Sequence, residues 1–301
     1  MFVGGAQSSE HPTRVTLEHE TENRSADLSF FMLRLGTFML RRFSEEIQNV
    51  SRIVPLSTTC RYLACVGGSL PAIASARKLW PADLKMRARV RVRYEGTDLN
   101  IDCGQLDRIV PEQKCSTFSG IREMYARNVY LRLFDLARIK WEVAIDAGGN
   151  RGMFTVFLSQ LCRDVVYIEP QLHFRQALQL LLRDNPSSCK VHIENVCLGG
   201  ARAAGLITVP EVLSKYGLSC VTFCKCDVEG DEFDIFLTDN SWLKSVDNIA
   251  MEVHRHAGNP HVLVQALVAY GFCITARDAG LRPVDPEHAD YICASRTGAL
   301  L

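Results

Sequence analysis

The chain has 301 residues, of which 47% are hydrophobic and 23% charged, a composition that can bury an ordinary core and excludes a disordered or fibrous polymer. The 34 basic and 34 acidic residues leave a formal net charge of zero, so no whole-molecule field points to nucleic acid or to a membrane. There are 12 cysteines, but none forms a C-x-x-C pair, and structural zinc needs paired, turn-held thiolates. Small buried thiols in a reducing compartment are expected instead.

Residues 1–27 are polar and aperiodic and read as a loosely attached tail. Met1–Glu10 lacks the basic-then-apolar order of a secretory leader. The apolar runs Leu28–Leu40 and Leu56–Ala76 are broken by Arg34 and by Arg61, Gly67, Gly68 and Pro71. Neither reaches the ~20 clean residues of a membrane span. A soluble, cytoplasmic protein with no membrane span is the expectation, and nothing in the sequence bears on oligomeric state. Leu28–Val50 carries a helical period, and Ser57–Ala82 carries none that is legible. From Phe30 to Arg93 there are 12 basic and 3 acidic residues. Within that stretch Lys85–Arg93 alternates strictly, basic against apolar, which predicts a half-buried strand. The turn Glu95-Gly96-Thr97 leads to a second strand near Leu99–Cys103, making a hairpin. Phe118–Ile139 reads as one long amphipathic helix. The domain plan is a tail (1–27), an N-terminal extension of helix and basic hairpin (28–117) and a catalytic domain (118–301).

After Trp141 apolar runs alternate with helical patterns. Val143–Ile145, Val165–Ile168, Val191–Val196, Val221–Cys226 and Ile249–Val253 predict five strands. The helices that follow them are expected at Gly152–Leu161, Leu172–Arg183, Val209–Tyr216, Asp231–Leu237 and Val262–Tyr270. Strands that are apolar on both faces, alternating with helices, mean an α/β fold with a mostly parallel sheet. Phe272–Ala276 and Tyr291–Ala294 suit a closing antiparallel hairpin.

Acids end most of these strands: Asp146 the first, Glu169 the second, Asp227 the fourth, and Glu252 with His254 the fifth. Ligands of open α/β sheets bind beyond the carboxyl ends of the strands, so these groups line one expected site. The loop Asp146-Ala-Gly148-Gly149-Asn150-Arg-Gly152 has a nucleotide-site layout in which glycines admit close backbone approach. It is not the dinucleotide G-x-G-x-x-G. An acid at its head repels a pyrophosphate and suits a cationic, phosphate-free ligand such as S-adenosylmethionine. Glu169 stands at the next strand end, where an acid hydrogen-bonds ribose hydroxyls.

Asp146–Gly152, Ile168-Glu169-Pro170, Lys225-Cys-Asp227-Val-Glu229-Gly230-Asp-Glu232 and Glu252-Val-His254 together resemble the FkbM-type methyltransferase family, over about Glu142–Ala276. The resemblance implies a class I methyltransferase fold, a seven-stranded Rossmann-like sheet. It also implies S-adenosylmethionine as cofactor, and O-methylation of a hydroxyl on a small molecule or sugar. Two departures stand out: the segment Cys197–Gly205 runs almost directly into Leu206, and Gly149 and Arg151 replace an alanine and an apolar residue. Arg151 is expected to face solvent.

Cofactor binding is therefore expected at Asp146, Gly148, Gly149, Asn150, Gly152, Glu169 and Asp227. Catalysis is expected at His254, Asp227 and Glu252, with His254 as general base. No resident metal is assigned, although Asp227, Glu252 and His254 could hold a divalent cation. Lys225, inside an apolar strand, needs an acid partner. A small-molecule acceptor is preferred over the alternatives. These are an RNA methyltransferase tracking phosphates with the basic strand 85–93, which lacks interleaved aromatics for stacking bases, and a noncatalytic binding module.

Overall fold

A computed structural model describes residues 41, 43–111 and 116–301. The expected tail 1–27 and most of the expected helix Leu28–Val50 lie outside the described residues. The chain divides into two compact units, residues 1–47 and 48–301. In the first, residues 41 and 43–47 are helical, with an Arg41–Glu45 ion pair one turn apart.

The second unit opens on residues 48–53, which close a helix (α1), then α2 (Leu56–Gly67), α3 (Leu70–Ala76) and the single turn α4 (Trp80–Asp83). The basic alternation is a strand, β1 (Arg89–Tyr94), paired antiparallel with β2 (Thr97–Asp102). Its two-residue turn, Glu95-Gly96, has positive φ at both positions, the geometry that matches strand twist in a tight hairpin. Val90, Val92 and Tyr94 are buried and the arginines face out. Arg89 and Arg91 are tied to Asp184 and Asp98. The strand starts four residues later than expected because Lys85–Arg87 are turned back by hydrogen bonds to residues 82, 83 and 85.

Next come α5 (Cys103–Ile109) and α6 (Thr117–Gly120). The single helix expected over Phe118–Ile139 does not form. One π-helical segment, Ile121–Ala126, is followed by turns and a 3-10 turn at Leu136–Arg138. The break falls at Asn128, which adopts φ 53°. Its side-chain oxygen accepts from Tyr94 Oη at 2.6 Å and Leu131 N at 3.1 Å. Asn tolerates the left-handed conformation and competes locally for backbone donors. The apolar face survives the break: Phe118, Ile121, Tyr125, Tyr130 and Phe134 are all buried.

The main sheet contains β3 (Val143–Ala147), β4 (Asp164–Ile168), β5 (Lys190–Glu194), β8 (Phe223–Cys226), β9 (Asn248–Glu252), β10 (Cys273–Arg277) and β11 (Tyr291–Ser295). Its order is β10-β11-β9-β8-β3-β4-β5, and only β11 runs against the rest. The α/β architecture, a seven-stranded, mostly parallel sheet with a closing antiparallel hairpin, is thus as expected. Counted within this sheet the order reads 3-2-1-4-5-7-6. The dinucleotide fold has 3-2-1-4-5-6, without an antiparallel strand inserted near the edge. The intervening helices are α7 (Met153–Leu158), α8 (Leu172–Asp184), α9 (Val209–Tyr216), α10 (Glu232–Leu237) and α11 (Pro260–Ala269). A two-stranded parallel pair, β6 (Cys197–Leu198) and β7 (Leu206–Ile207), fills the short stretch before α9.

β3, β4 and β8 are buried at every residue, and α7 is buried along its whole length. Burying an apolar side chain contributes roughly 1.5–3 kcal/mol. That explains why these strands are nearly all apolar, the charged exceptions being Asp164 at the amino end of β4 and Asp146 and Lys225 near the carboxyl ends of β3 and β8. All described cysteines are free.

Candidate functional site

Strand order reverses between β3 and β8, since β4 and β5 continue on one side and β9 on the other. Such a switch point opens a crevice at the carboxyl ends of the strands. A cleft of about 300 Å³ lies there. Its wall includes Gly148 and Asn150 after β3, Glu169 after β4, Leu198 from β6, and Asp227 and Glu229 after β8. Among the described residues four carboxylates line it, those of Glu169, Asp227, Glu229 and Asp231, and no Lys, Arg or His does.

The floor is built by glycine. Gly148 has φ +70°, and a Cβ there would overlap the backbone oxygen of Asp227. A Cβ on Gly149 would enter the Tyr167 ring, and one on Gly152, at φ +80°, would meet Leu178. Tyr167 Oη donates to the Asn150 carbonyl at 2.6 Å. Gly149 and Gly152 therefore shape the loop from behind and do not line the cleft.

Glu169 is buried at the cleft wall, and each of its oxygens is engaged by the backbone. Asn150 N donates to Oε2 at 3.0 Å and Gln171 N to Oε1 at 3.0 Å. Burial pushes its pKa up, and the two amides oppose the shift. A carboxylate oxygen has two acceptor positions, so both oxygens retain capacity for hydroxyl donors.

Asp146 is placed differently from the expectation. It is fully buried and lies beneath the cleft, not on its lining. Thr155 Oγ1 donates to its Oδ2 at 2.6 Å, and Lys225 Nζ lies 3.3 Å from Oδ1. Geometrically that second contact is loose for a hydrogen bond, but in a dry setting it still pairs two full charges. Lys225 also donates to the Gly148 carbonyl at 2.7 Å and the Ala147 carbonyl at 3.3 Å, and lies 3.6 Å from Asp227. Burial alone would push its ammonium pKa down; Asp146 and Asp227 hold it above the ordinary value. Arg151 is another correction. It is buried, not solvent-facing, and its guanidinium donates to the Val110 carbonyl at the end of α5.

Beside the acid lining, His254 comes together with Asp227 and Glu229. One ligand atom from each lies within 4.8 Å of the others. In that trio Glu229 stands where Glu252 was expected. Glu229 adopts φ 57° and its side chain is 88% exposed. Asp227 Oδ2 accepts from Tyr130 Oη at 2.9 Å. His254 is held between two carboxylates, Glu232 at 3.2 Å from Nδ1 and Glu229 at 3.3 Å from Nε2. Glu232 is fully buried and also accepts from the backbone N–H of His254 and Gly230. A carboxylate at each ring nitrogen fixes the plane of the imidazole, Glu232 from the buried side and Glu229 from the exposed one. Burial, then the charges of Asp227, Glu123 and Glu229, push the Glu252 pKa up to about 8, against the pull of Lys225.

The residues unforeseen in the sequence are Tyr130, Tyr167, Leu198 and the strapping role of Glu232. Glu232 was visible as the last acid of the K-x-D-x-E-G-x-E run; Tyr130 had no local signal.

No family model and no curated protein sequence matches the chain. Among solved structures it is similar to a precorrin-6y C5,15-methyltransferase from Geobacter metallireducens GS-15, with 13% identity over 53% of this chain and 85% of that one and a TM-score of 0.35. A putative methyltransferase from Streptococcus mutans in complex with SAH is 15% identical over 56% and 94%, with a TM-score of 0.37. A putative O-methyltransferase from Klebsiella pneumoniae is 15% identical over 63% and 88%, with a TM-score of 0.38.

Proposed function

We propose that the chain is an S-adenosylmethionine-dependent methyltransferase of the FkbM type that O-methylates a hydroxyl on a small molecule or sugar. The observation that supports this most is the charge of the switch-point cleft, whose lining among the described residues has four carboxylates and no Lys, Arg or His. A pyrophosphate would be repelled there, whereas a ligand whose sulfonium and ammonium outweigh its one carboxylate is attracted by that field.

The residues fit such a ligand. Gly148 lets the turn after β3 pack against the Asp227 carbonyl, which a Cβ would overlap, and this close packing sets the cleft floor. Glu169 accepts ribose hydroxyls with the capacity its amide partners leave free. Ile168, Leu198 and Val228 offer the apolar contacts an adenine needs, and the β6–β7 pair lets the short segment after β5 still wall the cleft. Asp227, Glu229 and Asp231 set the negative field. Asp146 is a positioning residue: through Lys225 it fixes the Gly148 carbonyl. Gly149 in place of an alanine is matched by Tyr167, whose ring occupies the position a methyl group would take.

When bound, the donor supplies a methyl group activated on a positively charged sulfur, and the protein contributes alignment and proton management. His254 takes the acceptor hydroxyl proton at Nε2 while Glu232 holds Nδ1. Glu252, whose pKa burial and then the neighbouring acids raise to about 8, holds a proton near the same site at neutral pH.

Calorimetric titration tests this reading. S-adenosylmethionine and S-adenosylhomocysteine should bind and NADH should not. Binding of NADH with no heat from the adenosyl ligands would overturn it.

A further inference from the structure

A second feature lies far along the chain from the cleft residues and does not depend on how they are read. The exposed side of α2 carries an apolar stripe bordered by Ser57 and Arg61. Leu56, Cys60, Leu63, Ala64 and Gly67 are all exposed and recur at helical spacing on one stripe. Leu56 is 78% exposed and Leu63 47%, and the next helix, α3, adds Leu70 at 58%. Solvent-facing helix stripes are ordinarily polar, and clustered exposed leucines mark an interaction surface.

The charge around this stripe is one-sided. From residue 48 to residue 93 there are nine Lys or Arg, and the one acid is Asp83. Asp83 is fully buried, paired with Arg122 and hydrogen-bonded by Tyr62, so it offers the surface no negative charge. Immediately before the stripe, Pro55 lines a cleft of about 350 Å³ with Arg52, Arg91 and Arg93, against which stands a single acid, Asp98. Arg61, on α2 itself, and Arg77 and Lys78, just after α3, are exposed.

We infer that α2 and α3 dock on an anionic phospholipid surface, with the Arg52–Arg91–Arg93 cleft taking headgroup phosphate and Leu56, Leu63 and Leu70 entering the acyl boundary. Apolar side chains beside a dense cationic surface are what an interfacial helix needs, and a basic cleft whose single lining acid, Asp98, is paired with Arg91 complements anionic lipid through Arg52 and Arg93. Among the described residues no helix is long and apolar enough to cross a membrane, and the contact proposed for α2 and α3 is one of surface docking. Single-stranded RNA would also meet the guanidinium groups, but it gains from aromatic stacking platforms, and the exposed stripe offers leucines in their place.

The test uses the full chain, sedimented with phosphatidylcholine vesicles with and without phosphatidylserine, at low and high salt. The chain should bind phosphatidylserine vesicles, and at least about tenfold more weakly without phosphatidylserine or in high salt. Leu56→Asp with Leu63→Asp, and separately Arg52→Glu with Arg93→Glu, should each weaken binding by about tenfold or more. Because these side chains are exposed, thermal melting should be unchanged; Leu70→Asp is an independent probe should the pair alter it. Equal binding to both vesicles, or variants that sediment like the parent chain, would overturn the inference. So would a chain that ignores vesicles and instead self-associates through Leu63 or binds single-stranded RNA.

Discussion

Lys225 Nζ lies 3.3 Å from Asp146 Oδ1 and 2.7 Å from the Gly148 carbonyl oxygen, so the one buried cation of β8 ties down the turn that leaves β3. This explains how an acid can head the glycine loop without lining the cleft. Its charge is spent on a lysine that holds the loop in shape.

Removing one partner of such a pair leaves the other charged and dry. Lys225→Met should destabilise the fold by about 3–5 kcal/mol. Adding Asp146→Asn should recover much of that loss, because the orphaned charge goes with it. Urea denaturation of the two variants checks this, and equal losses would show that the pair is not coupled.

Gly148→Ala places a methyl group on the Asp227 carbonyl and forces a side chain into a left-handed backbone. The loop must shift, and the cleft floor with it. Adenosyl-ligand affinity should fall at least about tenfold, equivalent to about 1.4 kcal/mol, read by calorimetry.

Glu252 gives a pH signature. Its pKa is raised by burial and neighbouring acids from 4.5 to about 8. Between those values the folded state binds the proton that the unfolded chain has lost, so stability falls as pH rises through that window. Glu252→Gln removes the dependence. Its melting temperature should exceed that of the parent chain above pH 8 by about 3 °C or more, and the two should converge near pH 4.5. Parallel melting curves across this range would contradict the assignment.

His254 should separate binding from chemistry. His254→Asn should leave the dissociation constant for S-adenosylhomocysteine unchanged and lower kcat by about 10²-fold or more. Glu232→Gln should lower kcat too, and shift the pH profile of kcat, because it alters the group that orients the imidazole. A purely structural Glu232 would lower melting temperature without moving the profile.

The sheet was readable because its strands are apolar on both faces and punctuated by acids. Helix α9 ran over the expected residues because Thr208 and Glu211 form a reciprocal cap and Gly217 ends it at φ 64°, all three being local signals. Phe118–Ile139 kept a helical apolar period, yet the bond from Tyr94 to Asn128 breaks it from a strand 34 residues away. Arg151 was misplaced for the same reason, since its acceptor, Val110, is 41 residues distant. Site chemistry at strand ends could be read as residue types. Which of those acids would turn inward, as Asp146 does, depended on Lys225 from a neighbouring strand.

The most direct measurement is a crystal structure of the chain grown with S-adenosylhomocysteine. The account predicts adenosyl density in the switch-point cleft, with the ribose hydroxyls on Glu169, the adenine against Leu198 and the sulfur toward Asp227. An empty cleft at saturating ligand, or the ligand bound elsewhere on the chain, would contradict it.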